Sequence, residues 1–406
     1  MSEENDLQYE IERLKSRLSD MNSQEDSQNA VPPAPSISAP PPVYDRPVSD
    51  ARIESAYRTT EKATVTTDKE PGQVAESPYG PIGMDIGTSN IVLAQNKGNS
   101  IHVVKQVNAF FTIPQSRFTK SILNKNEVTF IEFDKQYYII GYSAENFANM
   151  FNTNTRRPME RGFLSSRENE GITLMQSIIK TVVQKPKKFG EILCYSVPGD
   201  PVGSAVLSIG HQSILKMFFE TMGYTPVPIN EGLAVVMSEL ADNNFTGIGI
   251  SMGGGMCNIC LSYLSVPVIT YSIQKGGDYI DEMVSRDVNE SATKIKVIKE
   301  EALDLSVLPT NKVEMSLHIY YMDLINSLVR SLQQVIASSD KVPKITSPIP
   351  IVLSGGTCMP KGLKERVEKA IGAVRLPIEI SEVRTAVDPL NATSKGALVM
   401  AMSEER

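Results

Sequence analysis

The sequence predicts an α/β protein composed of two related lobes. Apolar strand-like runs alternate with helix-like patterns from Tyr79 onward, which is typical of sheets covered by helices. A glycine hairpin also occurs twice in the same register, at 83–87 (GMDIG) and 249–253 (GISMG); the first is followed by the apolar run 91–94, and the second by the alternating residues Cys257, Ile259 and Leu261. Because a tight glycine-centred turn can aim consecutive backbone N–H groups into one concavity, the repeat suggests that two similar lobes clasp a phosphate.

Composition limits the possible functions. The 406 residues are 41% hydrophobic, so the chain can bury a large core and is long enough for two or three domains. The net charge of −7 argues against nucleic acid as the main partner, because binding to a phosphate backbone requires a basic surface. No apolar run reaches the roughly 18 residues of a membrane span, and the N-terminus lacks a signal-peptide pattern. We therefore expect no membrane span.

The cysteines are too few and too scattered for a disulfide framework. They are Cys194, Cys257, Cys260 and Cys358. This usage fits a reducing, cytoplasmic compartment. Cys257 and Cys260 form a C-x-x-C, which leaves open a redox pair or half of a zinc site, but the strand-like pattern around them and the lack of a second Cys/His pair argue against both.

The first predicted unit is a short amphipathic helix at residues 1–25. Its apolar residues have the a/d spacing of a coiled coil, at Leu7, Ile11, Leu14, Leu18 and Met21. Two heptads are marginal in water, so the helix requires a partner or a high local concentration, and a fraying amphipathic helix is the alternative. Residues 26–78 are rich in proline and serine and predict a disordered tether.

The globular part begins near residue 79. Besides the two hairpins, strands are predicted at 101–107, 127–140, 192–197, 267–273 and 349–353. Helices are predicted after the turn at 276–278 and at 143–150, 170–183, 204–222, 233–240, 295–305, 315–337, 360–371 and 391–402.

Several residues suit a phosphate, its metal ion and a flat ligand. Thr88, Ser89 and Asn90 add side-chain donors to the first hairpin, and Asp85 can hold the waters of a Mg²⁺. A plain structural hairpin is the alternative, since Asp-x-Gly-Thr turns occur in many proteins. The glycine pair at 355–356 lies between an apolar strand and a helix, where bare backbone lets a flat ligand approach.

Six segments together resemble the actin, sugar-kinase and heat-shock-chaperone ATPase superfamily. Residues 83–90 and 249–259 resemble its two phosphate loops, and 351–359 resemble its adenosine motif in the actin form. Its connecting segments are resembled by 157–163, 230–234 and 387–397. Five or six motifs in the correct order are far more specific than any one of them. The resemblance is nearest to the prokaryotic actin-like cytoskeletal branch, which includes MreB and MamK.

This resemblance implies an actin-like ATPase fold, with a nucleotide cleft between two related lobes. Lobe I would comprise residues 79–233 and 384–406, and lobe II residues 234–383. Proteins of this branch bind ATP with Mg²⁺ in the cleft, polymerise in the ATP state and hydrolyse ATP within the filament. We therefore expect ATP and Mg²⁺ as ligands and a head-to-tail filament of this chain, with the preference between ATP and GTP left open.

The resemblance also assigns roles to residues. Asp85 would position the hydration shell of Mg²⁺, and Glu231 would orient the attacking water. A helix N-terminal carboxylate favoured by the helix dipole is the alternative for Glu231. The phosphates would meet Gly87, Thr88, Ser89, Asn90, Gly253, Gly254 and Gly255. The adenosine would meet Lys299, Glu300, Gly355, Gly356 and Met359.

Two departures from the family pattern modify these expectations. Ser251 stands where the family usually has Asp, and Met256 and Cys257 stand where it has a Thr pair. Losing a carboxylate near the metal and a hydroxyl near the γ-phosphate should make hydrolysis slow or absent. Only residues 306–315 separate two predicted helices where MreB has room for a small sheet, so the fourth subdomain should be reduced or absent.

We expect a filament-forming, nucleotide-dependent structural protein with weak ATP hydrolysis. A chaperone-type ATPase is one alternative, but the sequence ends four residues after Met402, without space for a substrate-binding domain. A small-molecule kinase of the same superfamily is another, but residues 247–277 contain no convincing catalytic Asp. A partner bound through the N-terminal helix is a further expectation, and the cellular role is left open.

Overall fold

The computed structural model describes residues 64–68, 77–98, 100–151, 153–168, 170–204 and 208–405. The predicted helix at 1–25 and most of the predicted tether at 26–78 lie outside these residues. Strands and helices alternate through the described part, which confirms the predicted α/β class.

The secondary structure of the described residues comprises strands, α-helices and two short 3₁₀ turns, at Ala241–Asn243 and Gly356–Cys358. The strands are β1 (Thr64–Asp68), β2 (Ile82–Ile86), β3 (Asn90–Asn96), β4 (Ser100–Val107), β5 (Phe110–Pro114), β6 (Phe130–Phe133), β7 (Gln136–Ile140), β8 (Met159–Glu160), β9 (Phe163–Leu164), β10 (Ile192–Val197), β11 (Thr225–Asn230), β12 (Gly247–Met252), β13 (Cys257–Tyr263), β14 (Val266–Ile273), β15 (Ile349–Ser354) and β16 (Ile380–Thr385). The α-helices are α1 (Arg117–Lys125), α2 (Tyr142–Met150), α3 (Gly171–Val182), α4 (Ser208–Met222), α5 (Glu231–Glu239), α6 (Gly277–Val288), α7 (Ala292–Glu301), α8 (Lys312–Ser338), α9 (Leu363–Gly372) and α10 (Ala392–Glu404).

Two large sheets repeat one topology. The first has the order β1-β4-β3-β2-β10-β11, and the second β14-β13-β12-β15-β16. In each, a central strand pairs antiparallel with the second strand of its hairpin and parallel with a later strand. Without β1, the two orders correspond strand for strand. The repeated glycine hairpin therefore does mark two related lobes.

Helices α5 and α10 lie between the two sheets. A Cβ on Gly83 of β2 would overlap the backbone of Leu398 in α10, and one on Gly249 of β12 would overlap Gly232 in α5. The helices also approach each other, because a Cβ on Gly396 would overlap the carbonyl of Ala234. The proposed boundary between residues 233 and 234 falls inside α5, and the lobe limits stay a prediction.

Each large sheet has its own hydrophobic core on the face opposite these helices. In lobe I, buried residues of β2 and β10 pack against α3 and α4, with Tyr195 and Phe219 among the largest. In lobe II, β12, β13 and β15 pack against α6, α8 and α9, with Tyr321 at the centre of α8. Both glycine hairpins thus project from rigid sheets.

The sequence missed several strands. The predicted strand at 127–140 is a hairpin of β6 and β7, because Asp134 and Lys135 adopt positive φ angles of 44° and 58° and reverse the chain. With β5 these strands form a small separate sheet, β5-β7-β6. Strand β11 was missed because Pro226 and Pro228 argue against a strand, yet it lies at the sheet edge where prolines are tolerated.

The predicted tether requires one correction. Residues 64–68 form β1 and pair in parallel with β4 at the edge of the first sheet. An edge strand obtains its backbone hydrogen bonds from its neighbour, so low hydrophobicity does not exclude it.

Helix limits were predicted less well than helix positions. The helix predicted at 295–305 spans Ala292–Glu301, because Ser291 caps it by accepting a hydrogen bond from Lys294 N. The helix predicted from 360 begins at Leu363, after Gly362 with a φ of +85°. Residues 302–311 connect α7 to α8 with no strand beyond a single bridge from Asp304 to Lys361. The fourth subdomain is therefore reduced, as expected.

Candidate functional site

A cleft of about 440 Å³ lies between the two sheets and is a suitable size for a small-molecule ligand. It brings together all residues proposed for the site, which are Asp85, Gly87, Thr88, Ser89, Asn90, Glu231, Gly253, Gly254, Gly255, Lys299, Glu300, Gly355, Gly356 and Met359. These residues come from separate parts of the chain and meet only through the fold. Their individual roles stay predictions.

The first hairpin is fixed by hydrogen bonds within its turn and from two neighbouring segments. Gly87 N donates to Asn90 O at 3.0 Å and closes the turn between β2 and β3. A Cβ on Gly87 would lie 2.8 Å from Asn90 O, so a side chain is excluded there. Asn108 donates to Gly87 O through Nδ2 and to Ser89 O through its backbone N, both at 2.9 Å. Thr88 is buried, and its Oγ1 accepts a hydrogen bond from the backbone of the 157–163 segment.

The second hairpin is a turn of bare glycines held by two other segments. The first turn of α6 donates to it, from Gly277 N to Gly253 O at 3.0 Å and from Asp278 N to Gly254 O at 2.8 Å. Thr357 Oγ1, from the segment that carries the glycine pair, donates to Gly253 O at 2.8 Å. The proposed phosphate and adenosine segments are thus joined directly.

The two hairpins touch across the cleft. A Cβ on Gly254 would overlap Ser89 Oγ, and one on Gly255 would overlap Thr88 Oγ1. Glycine in the second hairpin therefore allows the side chains of the first to reach its backbone. A phosphate at this junction would be within reach of both lobes.

Two carboxylates lie on the floor of the cleft. Ser196 Oγ donates to Asp85 Oδ1 at 2.9 Å, and Ser251 Oγ donates to Glu231 Oε2 at 3.0 Å. Burial raises the pKa of Asp85 to about 6. Burial, and next the charge of Asp85, raise the pKa of Glu231 to about 8. At neutral pH without ligand, Glu231 is therefore mostly protonated and Asp85 mostly ionised.

The cleft carries an excess of negative charge. Its ionisable side chains are Asp85, Glu231, Asp278, Asp281, Glu300 and Glu301, against Lys105, Lys296, Lys299 and Lys361. This excess would oppose the binding of a bare polyphosphate. Among the described residues no group of three His, Cys, Asp or Glu side chains is placed to hold a metal ion. Mg²⁺ usually takes one or two protein carboxylates together with water and substrate phosphates, and Asp85 of the cleft can supply one of them.

The family assignment rests on a match to most of the chain. The Volactin family model matches residues 81–401. The chain belongs to the Volactin family. A comparison with curated proteins finds no match. The matched region spans both large sheets and both glycine hairpins, so the whole cleft lies within the Volactin part of the chain.

Solved structures show the fold of this Volactin protein. It is similar to the MamK double helical filament, with 18% identity, a TM-score of 0.60, and coverage of 81% of this chain and 100% of that one. It is also similar to MreB5 of Spiroplasma citri bound to AMPPNP, with 14% identity, a TM-score of 0.56, and coverage of 79% and 95%. The non-polymerising A278D mutant of MamK bound to AMPPNP gives 18% identity, a TM-score of 0.50, and coverage of 79% and 98%. The protein therefore has an actin-like ATPase fold with MamK-like and MreB-like neighbours.

The residues predicted to meet the adenosine lie in different environments. Lys299 is buried and donates to Asp281 Oδ2 at 2.8 Å and to Gly277 O at 3.0 Å. Its ammonium group is therefore engaged within lobe II, whereas Glu300 is exposed at the lip. Gly355 has a φ of +92°, and a Cβ there would overlap Met252 O, so glycine is required beside the second hairpin.

The residues that depart from the superfamily pattern lie in different environments. Met256 is buried in the cleft wall and packs against Gly162. Cys257 lies in the lobe II core, while Cys260 belongs to the core around α5 and α10. The two thiols are free and face opposite sides of β13, so they form neither a redox pair nor half of a zinc site.

Sequence reasoning missed several charged residues that line the cleft, which are Lys105, Asp278, Asp281, Lys296, Glu301 and Lys361, and it also missed Arg157 beside them. Arg157 Nη1 pairs with Asp278 Oδ2 at 2.7 Å and so joins the 157–163 segment to the start of α6. Lys105 lines the cleft from β4. Arg157 lies in the 157–163 segment and Asp278 in the turn at 276–278, but no spacing rule could show that they meet.

Among the described residues, no helix is both apolar and long enough to cross a bilayer.

Proposed function

We propose that this Volactin family protein binds ATP with Mg²⁺ in the cleft, polymerises head to tail into cytoskeletal filaments, and hydrolyses ATP slowly. The observation that carries the proposal is the meeting of two glycine hairpins, one from each related lobe, above the carboxylate of Asp85. Two neighbours of the same fold support it, since one is a MamK double helical filament and another is MreB5 bound to AMPPNP.

Different residues of the cleft would bind the phosphates, the metal ion and the purine. Backbone N–H groups of the two hairpins and the hydroxyls of Thr88 and Ser89 would hold the phosphates. Asp85, oriented by Ser196, would hold the waters of Mg²⁺, and the bound metal would neutralise phosphate charge. The bare backbone at 355–356 and the side chain of Met359 would line the purine.

Slow hydrolysis follows from the environment of Glu231. Its carboxyl is buried and accepts a hydrogen bond from Ser251, and without ligand burial and Asp85 raise its pKa to about 8. Mg²⁺ at Asp85 would offset the charge of that residue, but burial, the larger cause, would still favour the protonated form. A protonated carboxyl cannot accept a proton from water. Ser251 also adds no charge to the metal site, so the second lobe contributes little electrostatic stabilisation to the transferring phosphoryl group.

Nucleotide binding would favour one arrangement of the lobes. ATP contacts both hairpins at once, so it stabilises the closed arrangement relative to an open one. Closure would present complementary surfaces for head-to-tail stacking, and heterologous contacts extend into filaments when they do not close into rings. The helix predicted at 1–25 would then gain, in each subunit, the local concentration that a coiled-coil seam requires. We place this assembly in the cytoplasm.

Calorimetry followed by sedimentation tests the proposal. Full-length protein is titrated with MgATP and MgGTP, then pelleted and imaged by electron microscopy with and without nucleotide. We expect saturable MgATP binding, nucleotide-dependent pelleting and filaments. We also expect phosphate release slower than that of ordinary bacterial actins, with Glu231→Ala reducing it further. Indifference to both nucleotides would overturn the proposed site, and binding without any polymer would overturn the filament.

A further inference from the structure

Lys105 occupies a position in the first sheet that faces the cleft. Asp85 of β2 pairs with Val92 of β3, and Val92 pairs with Lys105 of β4. Residues directly opposite one another on adjacent strands project from the same face, so the three side chains form a row across the sheet. All three line the cleft.

The other lysines of the cleft are engaged by carboxylates. Lys299 Nζ lies 2.8 Å from Asp281, and Lys361 Nζ lies 3.0 Å from Asp304. Lys296 Nζ lies 3.5 Å from Glu145 on the opposite side of the cleft. Within the described residues, Lys105 is the one cleft lysine whose side chain makes no hydrogen bond or ion pair.

The surroundings of Lys105 favour an anion beside it. Burial lowers its pKa, which means that the charged form loses hydration without gaining a close partner. The charges of Glu300, Glu145 and Asp85 act on it from a distance and raise the pKa, while that of Lys296 lowers it. A bound anion would compensate the lost hydration.

Neither hairpin contains a basic residue. The sequences Gly87-Thr88-Ser89-Asn90 and Gly253-Gly254-Gly255 supply backbone and hydroxyl donors only. A lysine ammonium is a compact charge that commonly binds phosphate in nucleotide sites. We propose that Lys105 binds the polyphosphate of the nucleotide, supplying from β4 the cation that the two hairpins lack. This inference rests on the proposed nucleotide function.

The competing role for Lys105 is a structural one, as a counter-charge for Asp85. The two roles predict effects of opposite sign. A lysine that only neutralises Asp85 competes with Mg²⁺, so its removal leaves MgATP affinity unchanged or raises it. A lysine that binds phosphate lowers MgATP affinity when it is removed.

Calorimetry on full-length protein separates the two roles. The variant is Lys105→Met, which keeps the length of the side chain without its charge. The matched control is Lys296→Met, which removes a cleft lysine that is already paired with Glu145. Each protein is titrated with MgATP, MgADP and adenosine. We expect Lys105→Met to lose at least about tenfold in MgATP affinity, about 1.4 kcal/mol, while Lys296→Met loses less than about threefold.

The remaining arms assign the loss to phosphate. Adenosine affinity should be unchanged in Lys105→Met, and Lys105→Arg should recover part of the MgATP affinity. Unchanged or raised MgATP affinity in Lys105→Met would overturn the inference but leave the proposed function standing. Absence of MgATP binding by wild type would overturn both. Thermal melting checks that each variant folds, and Lys105→Gln replaces Lys105→Met if the latter does not.

Discussion

The two glycine hairpins share a backbone and differ in chemistry. Gly83 and Gly249 occupy equivalent positions in β2 and β12, and each lets a connecting helix approach its sheet. Two residues later, Asp85 in lobe I corresponds to Ser251 in lobe II. The parallel neighbour of each strand carries a serine beside this position. Ser196 donates to Asp85 in lobe I, and Ser354 pairs with Ser251 in lobe II. The repeat therefore preserves the scaffold, while the carboxylate is found only in lobe I.

This asymmetry suggests a division of labour between the lobes. Lobe I carries the charged and hydroxyl groups of the phosphate end, at Asp85, Thr88 and Ser89, and lobe II presents a bare backbone. Ser251 donates to Glu231 and so helps to keep that carboxyl in place. Lobe I would then determine metal binding, and lobe II would determine how closely the cleft shuts.

The sharpest test of this comparison replaces each of the two corresponding residues in turn. Asp85→Asn keeps the shape of the side chain but removes its charge, and Ser251→Ala removes one hydroxyl. We expect Asp85→Asn to weaken MgATP binding by about 30-fold or more, roughly 2 kcal/mol, because the metal loses its protein carboxylate. Ser251→Ala should change the affinity by less than about threefold. Calorimetry measures both, and equal losses would show that the lobes contribute alike.

A second test concerns the closeness of the hairpins. A Cβ on Gly255 would overlap Thr88 Oγ1 and lie 2.6 Å from Gly162 N, whereas one on Gly253 has only Met256 O nearby, at 3.4 Å. Gly255→Ala should force the hairpins apart and weaken MgATP binding by about tenfold, since overpacking costs about 1–3 kcal/mol. Gly253→Ala is the matched control and should stay within about threefold. Similar affinities for the two variants would mean that the cleft tolerates a wider junction.

The sequence was sufficient for the architecture because the repeated pattern is local. A glycine turn between two apolar runs specifies a hairpin, and its recurrence specified the two sheets. The edges of the sheets were not predictable in this way. Strand β11 contains two prolines, and β1 lies in a polar segment; each gains its place from a neighbour distant in sequence.

The candidate site was predictable where the chain itself brings residues together. All proposed residues do line one cleft, because the motifs fixed their positions on strand ends and helix starts. Contacts between side chains could not be predicted from the sequence. Nothing in the spacing shows that Lys299 pairs with Asp281, or that Lys105 faces Asp85 across Val92. Such contacts depend on which strands become neighbours.

The carboxylates of the cleft predict an unusual dependence of stability on pH. The folded pKa of Glu231, about 8, lies above its ordinary value of 4.5, and that of Asp85, about 6, lies above 3.8. At a pH between the ordinary and the folded pKa of each group, the native state binds more protons than the unfolded state. Stability therefore falls as pH rises through this range. We expect the free energy of unfolding without nucleotide to fall by about 2–3 kcal/mol from pH 6 to pH 8 through these groups.

The variant Glu231→Gln isolates this effect. It should flatten the pH dependence measured by chemical denaturation and be more stable than wild type at pH 8. Glu301→Gln, at an exposed position on the cleft lip, is the control and should follow the wild-type curve. A steep fall that persists in Glu231→Gln would place the titration elsewhere in the protein.

The smallest expected effect belongs to the ion pair that joins the lobes at the rim. Arg157 and Asp278 lie 2.7 Å apart, but their side chains are 22% and 30% exposed, so water weakens the pair. Arg157→Gln should lower MgATP affinity by about two- to fivefold, corresponding to 1 kcal/mol or less. The pair Lys120–Glu132 lies within the small sheet region, so Lys120→Gln should leave the affinity unchanged. If Arg157→Gln matched this control, closure would not depend on this ion pair; a loss near that of Asp85→Asn would instead make the rim, and not the carboxylate of lobe I, the main determinant of binding.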